Sequence, residues 1–365
     1  MENLIFFLIG AGALAGGLDV VLNNKMGLGK SFTQGIQALG PLTLGMTGII
    51  CLSPLIAGAL RPIFYLYQVA FHLDPAILCS VLACDMGGYT LAREIAHDVQ
   101  MGSYAGMIIA SMLGCTLSFL IPVGLNLVGK ENLPLFFKGI MFGITGIFGG
   151  AMVGGLLAGY PFKMVFQNTM PVLFISGMLV IGLANYPDTV ILGCRIFGKG
   201  IYACSIGGLS LAGFQMITGK TILAGMVPVE ETMITIGKIG VFLMGALPIM
   251  EIINRLFKRV AGLMGRTESV AGLTAYLFVL VNPLPILMKY ANLSEREKIR
   301  LTAFMVCASC ALGDHMGFAA GVEPKLTLPL FTGKVIGGIL ALFVEWAFRR
   351  IFKLKINLAG KHSTR

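Results

Sequence analysis

Ionisable side chains inside long apolar runs are the residues of this chain that could do chemistry. Asp85 lies in "SVLACDMGGYTLARE" (80–94), and Asp314 precedes His315 in "ALGDHMGFAAG" (311–321). A carboxylate at the middle of a bilayer costs about 2.5–3.5 kcal/mol, so such a residue is usually kept for function. The two carboxylates could bind a cation, and Asp314 with His315 could relay a proton. All three are therefore candidate site residues.

Two breaks in the apolar pattern accompany these residues. Asp85 is followed by Gly87 and Gly88, and a second apolar run is interrupted at Asn282 by "NPLP" (282–285). Glycine allows backbone dihedrals that other residues avoid, and proline removes an amide donor. Carbonyl groups near each break are then free to bind a cation or a hydroxyl, which makes Gly87, Gly88 and Asn282 candidates as well. The alternative is that both breaks are packing kinks.

Two aromatic residues follow the candidate aspartates at the same spacing. Tyr89 comes four positions after Asp85, and Phe318 comes four positions after Asp314. The face of an aromatic ring attracts a cation, so either ring could cover a bound ammonium group. Aromatic residues in membrane spans also serve as ordinary packing, and the spacing does not separate the two uses.

The elements that must position these residues are membrane helices. The chain has 365 residues, of which 56% are hydrophobic and only 12% charged, and its mean hydropathy is +0.86. Apolar runs of about 20 residues, long enough to cross a bilayer core of about 30 Å, recur along the chain. We therefore predict an all-α polytopic membrane protein with one membrane domain. The first run opens with Glu2 and lacks a basic stretch, so we expect a retained helix and not a signal peptide.

The net charge of +10 is explained by topology and not by a nucleic acid partner. Basic residues form short clusters between apolar runs, as the positive-inside rule predicts for cytoplasmic loops. We expect no nucleic acid partner. We expect membrane lipid to surround the chain.

The chain contains an internal repeat. The segment "FLIGAGALAGG" (7–17) precedes the similar "CSIGGLSLAGF" (204–214) by 197 positions, and the same offset aligns Asp85 with Asn282. We expect a first transmembrane repeat at 1–165, a linking segment at 166–197, a second repeat at 198–355 and a cytoplasmic tail at 356–365. Interruptions at matching points of two repeats indicate a transport site near the middle of the membrane.

Loop charges predict the orientation of the two repeats. Basic clusters lie on both sides of the run 270–288, so we expect a re-entrant hairpin with "VNPLP" at its tip. Lys25 and Lys30 place the first loop in the cytoplasm, so the matching hairpin around "CDMGGY" enters from the opposite side. The prediction is two inverted-topology repeats, each with about four spanning helices plus a discontinuous or re-entrant helix, joined by a linking helix. Full crossings in place of the hairpins are the alternative.

No enzyme, cofactor or metal site is expected. The sequence lacks P-loop spacing, an HExxH motif and a Ser/His/Asp arrangement. The pair "CASC" (307–310) has the spacing of a metal or redox pair but no second Cys/His pair accompanies it. Among the other charged residues, Glu251 is expected to pair with Arg255 at i+4. Three more glutamates are expected in loops, namely Glu230, Glu231 and Glu323.

A glycine-rich face leaves the oligomeric state open. The segment "FGITGIFGGAMVGGLLAG" (142–159) presents small residues that permit close helix packing. It could pack within the protomer or between protomers, so a homo-oligomer is neither predicted nor excluded.

Three segments together resemble one protein family. They are "GPLTLGMTGIICLSPLI" (40–56), "LDPAILCSVLACDMGGYTLARE" (73–94) and "ALGDHMGFAAG" (311–321). The sequence resembles the bacterial ethanolamine-utilisation permease family, EutH, over essentially its full length. The resemblance implies a multi-pass protein of the bacterial inner membrane, with its C-terminus in the cytoplasm, that takes up ethanolamine.

Ethanolamine suits the candidate residues. At neutral pH it is a small ammonium with one hydroxyl, and a charged group crosses lipid poorly. We expect Asp85 and Asp314 to supply the anionic groups, and Asn282 with carbonyls near both breaks to bind the ammonium and the hydroxyl. Tyr89 or Phe318 would cover the cation.

Facilitated diffusion is the expected mechanism, because only one histidine lies in the candidate site. Two alternatives are a proton- or cation-coupled carrier that uses Asp314 and His315 as its relay, and a transporter of another small amine or polar solute. A membrane sensor or scaffold is a further class, but the short cytoplasmic segments of this chain count against it.

Overall fold

Every regular element that the structure describes is a helix. The computed structural model describes the backbone of residues 2–263 and 267–362, with side chains except at 2–3, 85–86, 257–258, 260–271 and 352–362. No strand occurs in these ranges, as predicted for an all-α protein. In lipid the backbone groups of such apolar runs have no water to bind, and a helix satisfies them within the segment.

The first half of the chain forms four long helical units and one hairpin. Its α-helices are α1 (Glu2–Val21), α2 (Gly29–Gln37), α3 (Leu39–Leu42), α4 (Gly48–Phe71), α5 (Tyr89–Ile95), α6 (Val99–Ser103), α7 (Leu113–Cys115), α8 (Ile121–Leu127) and α9 (Leu133–Leu157). Helices α2 to α4 form one bent unit, α6 to α8 form a broken unit, and α5 belongs to the hairpin between them. Shorter 3₁₀ and π-helical turns lie at Pro75–Val81, Cys84–Gly88 and Tyr104–Ile109.

The second half repeats this order of elements. Its helices are α10 (Phe162–Asn185), α11 (Pro187–Thr218), α12 (Val229–Leu263), α13 (Thr267–Val281), α14 (Leu284–Met288), α15 (Glu295–Ala308), α16 (Asp314–Val322) and α17 (Thr327–His362). Helix α10 lies between the two series, and residues 187–197 of the expected linking segment belong to α11. From α11 onward the chain again forms two long helices, a hairpin at α13 and α14, a broken pair at α15 and α16, and a final long helix.

Seven helices of the described chain are long and apolar enough to cross a membrane. An eighth crossing results if the broken unit, 99–109 with 113–127, is one span bent by 41°. The chain is therefore a multi-pass membrane protein. Helix α17 continues to His362, so most of the predicted tail from 356 onward is helical, and residues 363–365 lie outside the described residues.

Glycines allow the helices at the centre of the molecule to approach closely. A Cβ atom on Gly146 would lie 2.2 Å from the Gly337 carbonyl oxygen, and one on Gly150 would lie 2.6 Å from that of Gly333. These contacts join α9 to α17. The glycine-rich face of α9 thus packs within the protomer, which is the first of the two uses considered for it.

The start and the end of the first hairpin lie close together. The Asp74 carboxylate accepts hydrogen bonds from the Ala76 amide at the hairpin start (2.9 Å) and from the His97 amide at its end (3.0 Å). The turn Cys84–Gly88 is therefore the tip between two short arms.

The loop that carries Lys25 lies on the same side of the molecule as the basic end of α12. The Arg255 guanidinium donates to the carbonyls of Met26 and Gly27 and forms the predicted i+4 pair with Glu251, at 2.7 Å. Because α12 leads into α13, the second hairpin starts from this side. The first hairpin follows α4 and starts from the other end of the bent unit.

Glu230 and Glu231 lie in the first turn of α12, so the expectation that they belong to a loop was wrong. Lys258 and Arg266 belong to the basic cluster before the run 270–288 that was used to predict the orientation; the side chain of Lys258 and all of Arg266 lie outside the described residues.

Candidate functional site

The tip of each hairpin meets the break of a broken helix. In the second half, the Cys310 amide donates to the Val279 carbonyl (3.1 Å) and the Leu312 amide donates to the Leu280 carbonyl (2.7 Å). These bonds pair the segment between α15 and α16 with the end of α13. Irregular backbone is tolerated at membrane depth only where protein or a cavity surrounds it, so this pairing stabilises the break.

A glycine makes the same close approach in each half. A Cβ atom on Gly114 would lie 1.9 Å from the Leu82 carbonyl oxygen, and one on Gly313 would lie 2.1 Å from the Val281 carbonyl oxygen. Gly114 lies just after the first break and Gly313 is the last residue of the second break, and each approaches the hairpin of its own half. The two halves therefore build their hairpin-to-break contact from the same residue type.

The glycines after Asp85 shape the first tip. Gly87 has φ +84°, and a Cβ atom there would lie 2.4 Å from the Ile49 side chain. The Gly88 amide donates to the Ala83 carbonyl at 3.0 Å, which closes the π-helical turn. The backbone of Asp85 lies within this turn. Its side chain lies outside the described residues, so the predicted carboxylate site there stays a prediction.

Asp314 and His315 begin α16 directly after the second break. Asp314 is half-buried, and its Oδ1 accepts a hydrogen bond from the His315 amide at 3.0 Å. The Asp314 side chain also interacts with the buried Cys310 thiol. His315 is only 1% exposed. Both residues therefore lie at the second break, with His315 buried and Asp314 half-buried.

Tyr89 and Phe318 are in contact with each other. Their ring centroids are 5.8 Å apart in an edge-to-face arrangement, which is a favourable geometry for aromatic pairs. The two residues lie on α5 and α16, so this pair joins the first hairpin to the second broken helix. The fold thus brings these two candidate residues together, a contact that the sequence did not predict.

A carboxylate lies beside this aromatic pair. Glu323 Oε2 accepts hydrogen bonds from the Tyr89 hydroxyl (3.0 Å) and the Ser103 hydroxyl (2.7 Å). Arg93 reaches the same serine from the exposed edge, at 3.1 Å. We call Tyr89, Ser103, Phe318 and Glu323 the Glu323 cluster. Glu323 was expected in a loop, and it lies between α16 and the following 3₁₀ turn as the C-cap residue of α16.

Tyr160 borders the Glu323 cluster from the turn between α9 and α10. Burial and the nearby Glu323 carboxylate raise the pKa of Tyr160. The Tyr160 hydroxyl therefore stays protonated and able to donate a hydrogen bond.

Asn282 lies at the exposed tip of the second hairpin. Its Oδ1 accepts a hydrogen bond from the Leu284 amide at 2.9 Å. This is the local side-chain bond that asparagine commonly makes in turns. The side-chain oxygen thus organises the "NPLP" tip, and the amide nitrogen is the group left for a solute.

A cavity of about 120 Å³ lies between α2, α12 and α13. Its polar lining comes from Ser31, Gln34, Glu251, Asn254 and Thr274. Asn254 Oδ1 and Thr274 Oγ1 are buried and have no hydrogen-bond partner within the described chain. Buried polar atoms are normally satisfied, so these two are positioned for a solute or water. Val281, next to the hairpin tip, lines the same cavity, which we call the Asn254 cavity.

Lys334 is a site residue that sequence reasoning missed. It lies on α17, is 1% exposed and donates a hydrogen bond from Nζ to the Ser111 carbonyl. Ser111 belongs to the break between 109 and 113. The signal was present as a lysine within the apolar run "LFTGKVIGG" (330–338), but the basic residues were interpreted only as loop charges.

The two cysteines of "CASC" have different partners. Cys307 Sγ donates to the Gly143 carbonyl at 3.6 Å, and Cys310 interacts with Asp314. Within the described ranges, no group of three or more His, Cys, Asp or Glu side chains is arranged to hold a metal ion.

Comparison with known proteins gives a consistent result. A family model described as "Ethanolamine utilisation protein, EutH" matches residues 1–348. A "Probable ethanolamine permease EutH" of Listeria monocytogenes is 37% identical over 94% of this chain and 93% of that protein. The protein of the same name from Salmonella typhimurium is 32% identical over 87% of this chain and 85% of its own.

A further relative is named "Uncharacterized protein YxeR". It comes from Bacillus subtilis, is 34% identical and covers 93% of both chains. No solved structure is significantly similar to this chain.

Proposed function

This chain belongs to the EutH family of ethanolamine utilisation proteins, and on that premise we propose that it carries ethanolamine across a bacterial inner membrane. The named relatives are permeases and not enzymes. A membrane transporter is the function that the multi-pass fold and these relatives support together. The substrate, the path and the mechanism are the parts that we propose.

The observation that carries the proposed path is the meeting of two hairpin tips with two broken helices. Gly114 approaches Leu82, and Gly313 approaches Val281, at matching points of the two halves. Transporters with broken helices bind their substrate and ions at such interruptions, near the middle of the bilayer. We place the substrate path here.

The Glu323 cluster suits the ammonium group of ethanolamine. It combines one carboxylate, two hydroxyl groups and the Tyr89–Phe318 ring pair. A carboxylate compensates the charge of an ammonium, and an aromatic ring attracts a cation within about 6 Å of its centroid. We propose that this cluster is the entry site.

On the side of the breaks away from the Glu323 cluster, the Asn254 cavity has the size and the polar lining to hold ethanolamine. Its volume of about 120 Å³ is enough for a few heavy atoms and a water, and Asn254 and Thr274 present polar atoms that lack partners. Glu251 supplies a carboxylate at the cavity wall. We propose that substrate leaves the hairpin tips through this cavity.

The orientation follows from the basic residues. Arg255 and the loop with Lys25 lie on one side, which the positive-inside rule assigns to the cytoplasm. The Asn254 cavity then opens toward the cytoplasm and the Glu323 cluster toward the outside. The first and second hairpins would enter from opposite sides, in support of two inverted repeats and a cytoplasmic C-terminus.

At the breaks, we propose that Asp85 and Asp314 compensate the charge of the passing ammonium. Asn282 and the carbonyls beside the two tips would bind its hydroxyl. Asp314 and Glu323 lie at the two ends of α16. The ammonium would therefore pass from one carboxylate to the other along this helix.

Facilitated diffusion is the proposed mechanism. Purified protein in proteoliposomes should equilibrate labelled ethanolamine at a low external concentration and acidic pH, where the neutral amine that permeates lipid is scarce. A protonophore should not change the rate, and liposomes without protein should show no uptake. Accumulation above equilibrium under an imposed proton gradient would overturn this mechanism.

A proton-coupled carrier is the second candidate, and the position of Asp314 and His315 at the break favours it. The proton-gradient experiment decides between the two. Competition by choline, propanolamine and serine in the same vesicles tests the substrate class, because each changes one feature of ethanolamine.

A further inference from the structure

A buried lysine faces the break of the first broken helix. Lys334 lies on α17 with 1% of its surface exposed. Its Nζ donates a hydrogen bond to the carbonyl of Ser111, which is 223 positions away in the chain. An ammonium group in an apolar interior is costly unless it is paired and hydrogen-bonded. Its burial at this point therefore needs a specific reason.

The Ser111 carbonyl is one group that stabilises the buried Lys334 side chain. The first half of the broken helix ends at Ile109, and the carbonyl end of a helix carries a partial negative charge. Neighbouring carbonyls at the break are satisfied by backbone amides, since Met112 donates to Ile109 and Cys115 donates to Ala110. Lys334 supplies the donor for the Ser111 carbonyl.

The other broken helix also packs against the part of α17 that carries Lys334. A Cβ atom on Gly337, three residues after Lys334, would lie 3.1 Å from Cys307 Sγ, and the Thr116 hydroxyl, just after the first break, donates to the Val306 carbonyl at 3.2 Å. Cys310 interacts with Asp314 and lies near Cys115. The ammonium of Lys334 is therefore located where the two breaks approach each other, among carbonyl, thiol and carboxylate groups.

These surroundings are those of a bound cation. In transporters with broken helices, freed carbonyls and the carbonyl ends of half-helices coordinate the coupling ion. We propose that Lys334 is a tethered cation that occupies this position permanently, so that the protein moves its substrate without Na⁺. The statement about transport rests on the proposed function, whereas the cation position itself does not.

Chemical rescue of a truncated lysine tests the cation position. Lys334→Ala removes the part of the side chain that n-propylammonium reproduces, and 1-propanol is the neutral molecule of nearly the same shape. We expect Lys334→Ala to melt at least about 2–4 °C below the parent in detergent. Propylammonium should restore most of this loss, beyond any shift it causes in the parent, while 1-propanol should not.

Lys298→Ala is the matched control. Lys298 is also buried, at 9% exposure, and donates from Nζ to Asn132 Oδ1 at 2.8 Å, but it lies near the start of α15 and not at a break. It should lose stability without rescue by propylammonium. Equal rescue of both variants, equal rescue by 1-propanol, or a Lys334→Ala protein as stable as the parent would each overturn the proposal.

A transport measurement on the parent protein covers the case in which Lys334→Ala does not fold. Ethanolamine uptake into proteoliposomes should be unchanged when N-methylglucamine replaces all Na⁺. Uptake that requires Na⁺ would contradict the tethered cation. If the parent takes up no ethanolamine at all, the proposed function fails, while the melting experiment still decides the position of the cation.

Discussion

The Tyr89 hydroxyl donates a hydrogen bond of 3.0 Å to Glu323 across 234 positions of the chain. It ties the beginning of α5, in the first hairpin, to the end of α16, in the second broken helix. The same two elements are in contact through the rings of Tyr89 and Phe318. A carboxylate and a ring pair are thereby held at one end of the broken helix, and the first prediction concerns this contact.

Replacing Glu323 by glutamine should weaken the capture of ethanolamine. The amide keeps the hydrogen-bonding shape but removes the charge that attracts the ammonium. We expect KM for uptake to rise about 10-fold, equivalent to about 1.4 kcal/mol, with a smaller change in the maximal rate. Labelled uptake over a range of ethanolamine concentrations measures both constants.

Two variants control the Glu323 experiment. Tyr89→Phe removes one hydrogen bond to Glu323 but keeps the ring, so its KM should rise less than that of Glu323→Gln. Glu231→Gln changes an exposed carboxylate at the start of α12 and should behave like the parent. A KM for Glu323→Gln equal to the parent value would remove Glu323 from the substrate path.

Replacing Asp85 by asparagine should reduce transport without reducing the amount of folded protein. Asp85 is the acidic member of the first hairpin tip, and a carboxylate there compensates the charge of a passing ammonium. We expect uptake at low ethanolamine concentration to fall about 10-fold or more. The exposed Asp188→Asn serves as the control, and uptake equal to the parent would exclude Asp85 from the site.

Alanine at Gly114 or Gly313 should destabilise the protein. The added methyl group would lie about 2 Å from a carbonyl oxygen of the hairpin in each case, so backbone must shift. Overpacking of this kind costs about 1–3 kcal/mol. Gly207→Ala, in α11, meets no atom within 4 Å and should leave the melting temperature unchanged or slightly higher. Equal melting temperatures for all three variants would refute the close approach.

Replacing Asp19 by alanine should lower stability through the first loop. The buried carboxylate accepts hydrogen bonds from the amides of Met26 (2.6 Å), Leu28 (2.7 Å) and Gly29 (2.8 Å). Removing it leaves buried donors without an acceptor, at a cost of about 1–3 kcal/mol. Thermal melting of Asp19→Ala against the exposed Asp188→Ala measures the difference. An unchanged melting temperature would mean that water satisfies these amides.

Replacing Thr274 by valine should raise stability and lower transport. The Thr274 hydroxyl is buried without a partner in the described chain and lines the Asn254 cavity. Valine removes an unsatisfied polar group at nearly constant shape, for a gain of up to about 1 kcal/mol. Thr169→Val is the opposite case, because that hydroxyl bonds to Tyr104 at 2.6 Å, and it should lose stability. Parent-like uptake by Thr274→Val would exclude the cavity from the path.

The class of protein and the position of its breaks were predictable from sequence. Hydropathy over about 20 residues specifies membrane helices because lipid leaves the backbone no other partner. Glycine and proline disturb a helix through their own geometry, so "CDMGG" and "NPLP" were recognisable as tips. Tyr89, Asp314, His315 and Phe318 were candidates on the same local grounds.

The contacts among distant residues were decided only by tertiary structure. Glu323 was interpreted as a loop glutamate and Lys334 was not considered, yet one bonds to Tyr89 and the other to Ser111, each more than 200 positions away. The Asn254 cavity likewise combines residues from three helices. Local spacing determines where a helix forms and where it breaks, because those properties depend on neighbouring residues. Which side chains then meet depends on how the helices pack, and no local pattern records that packing.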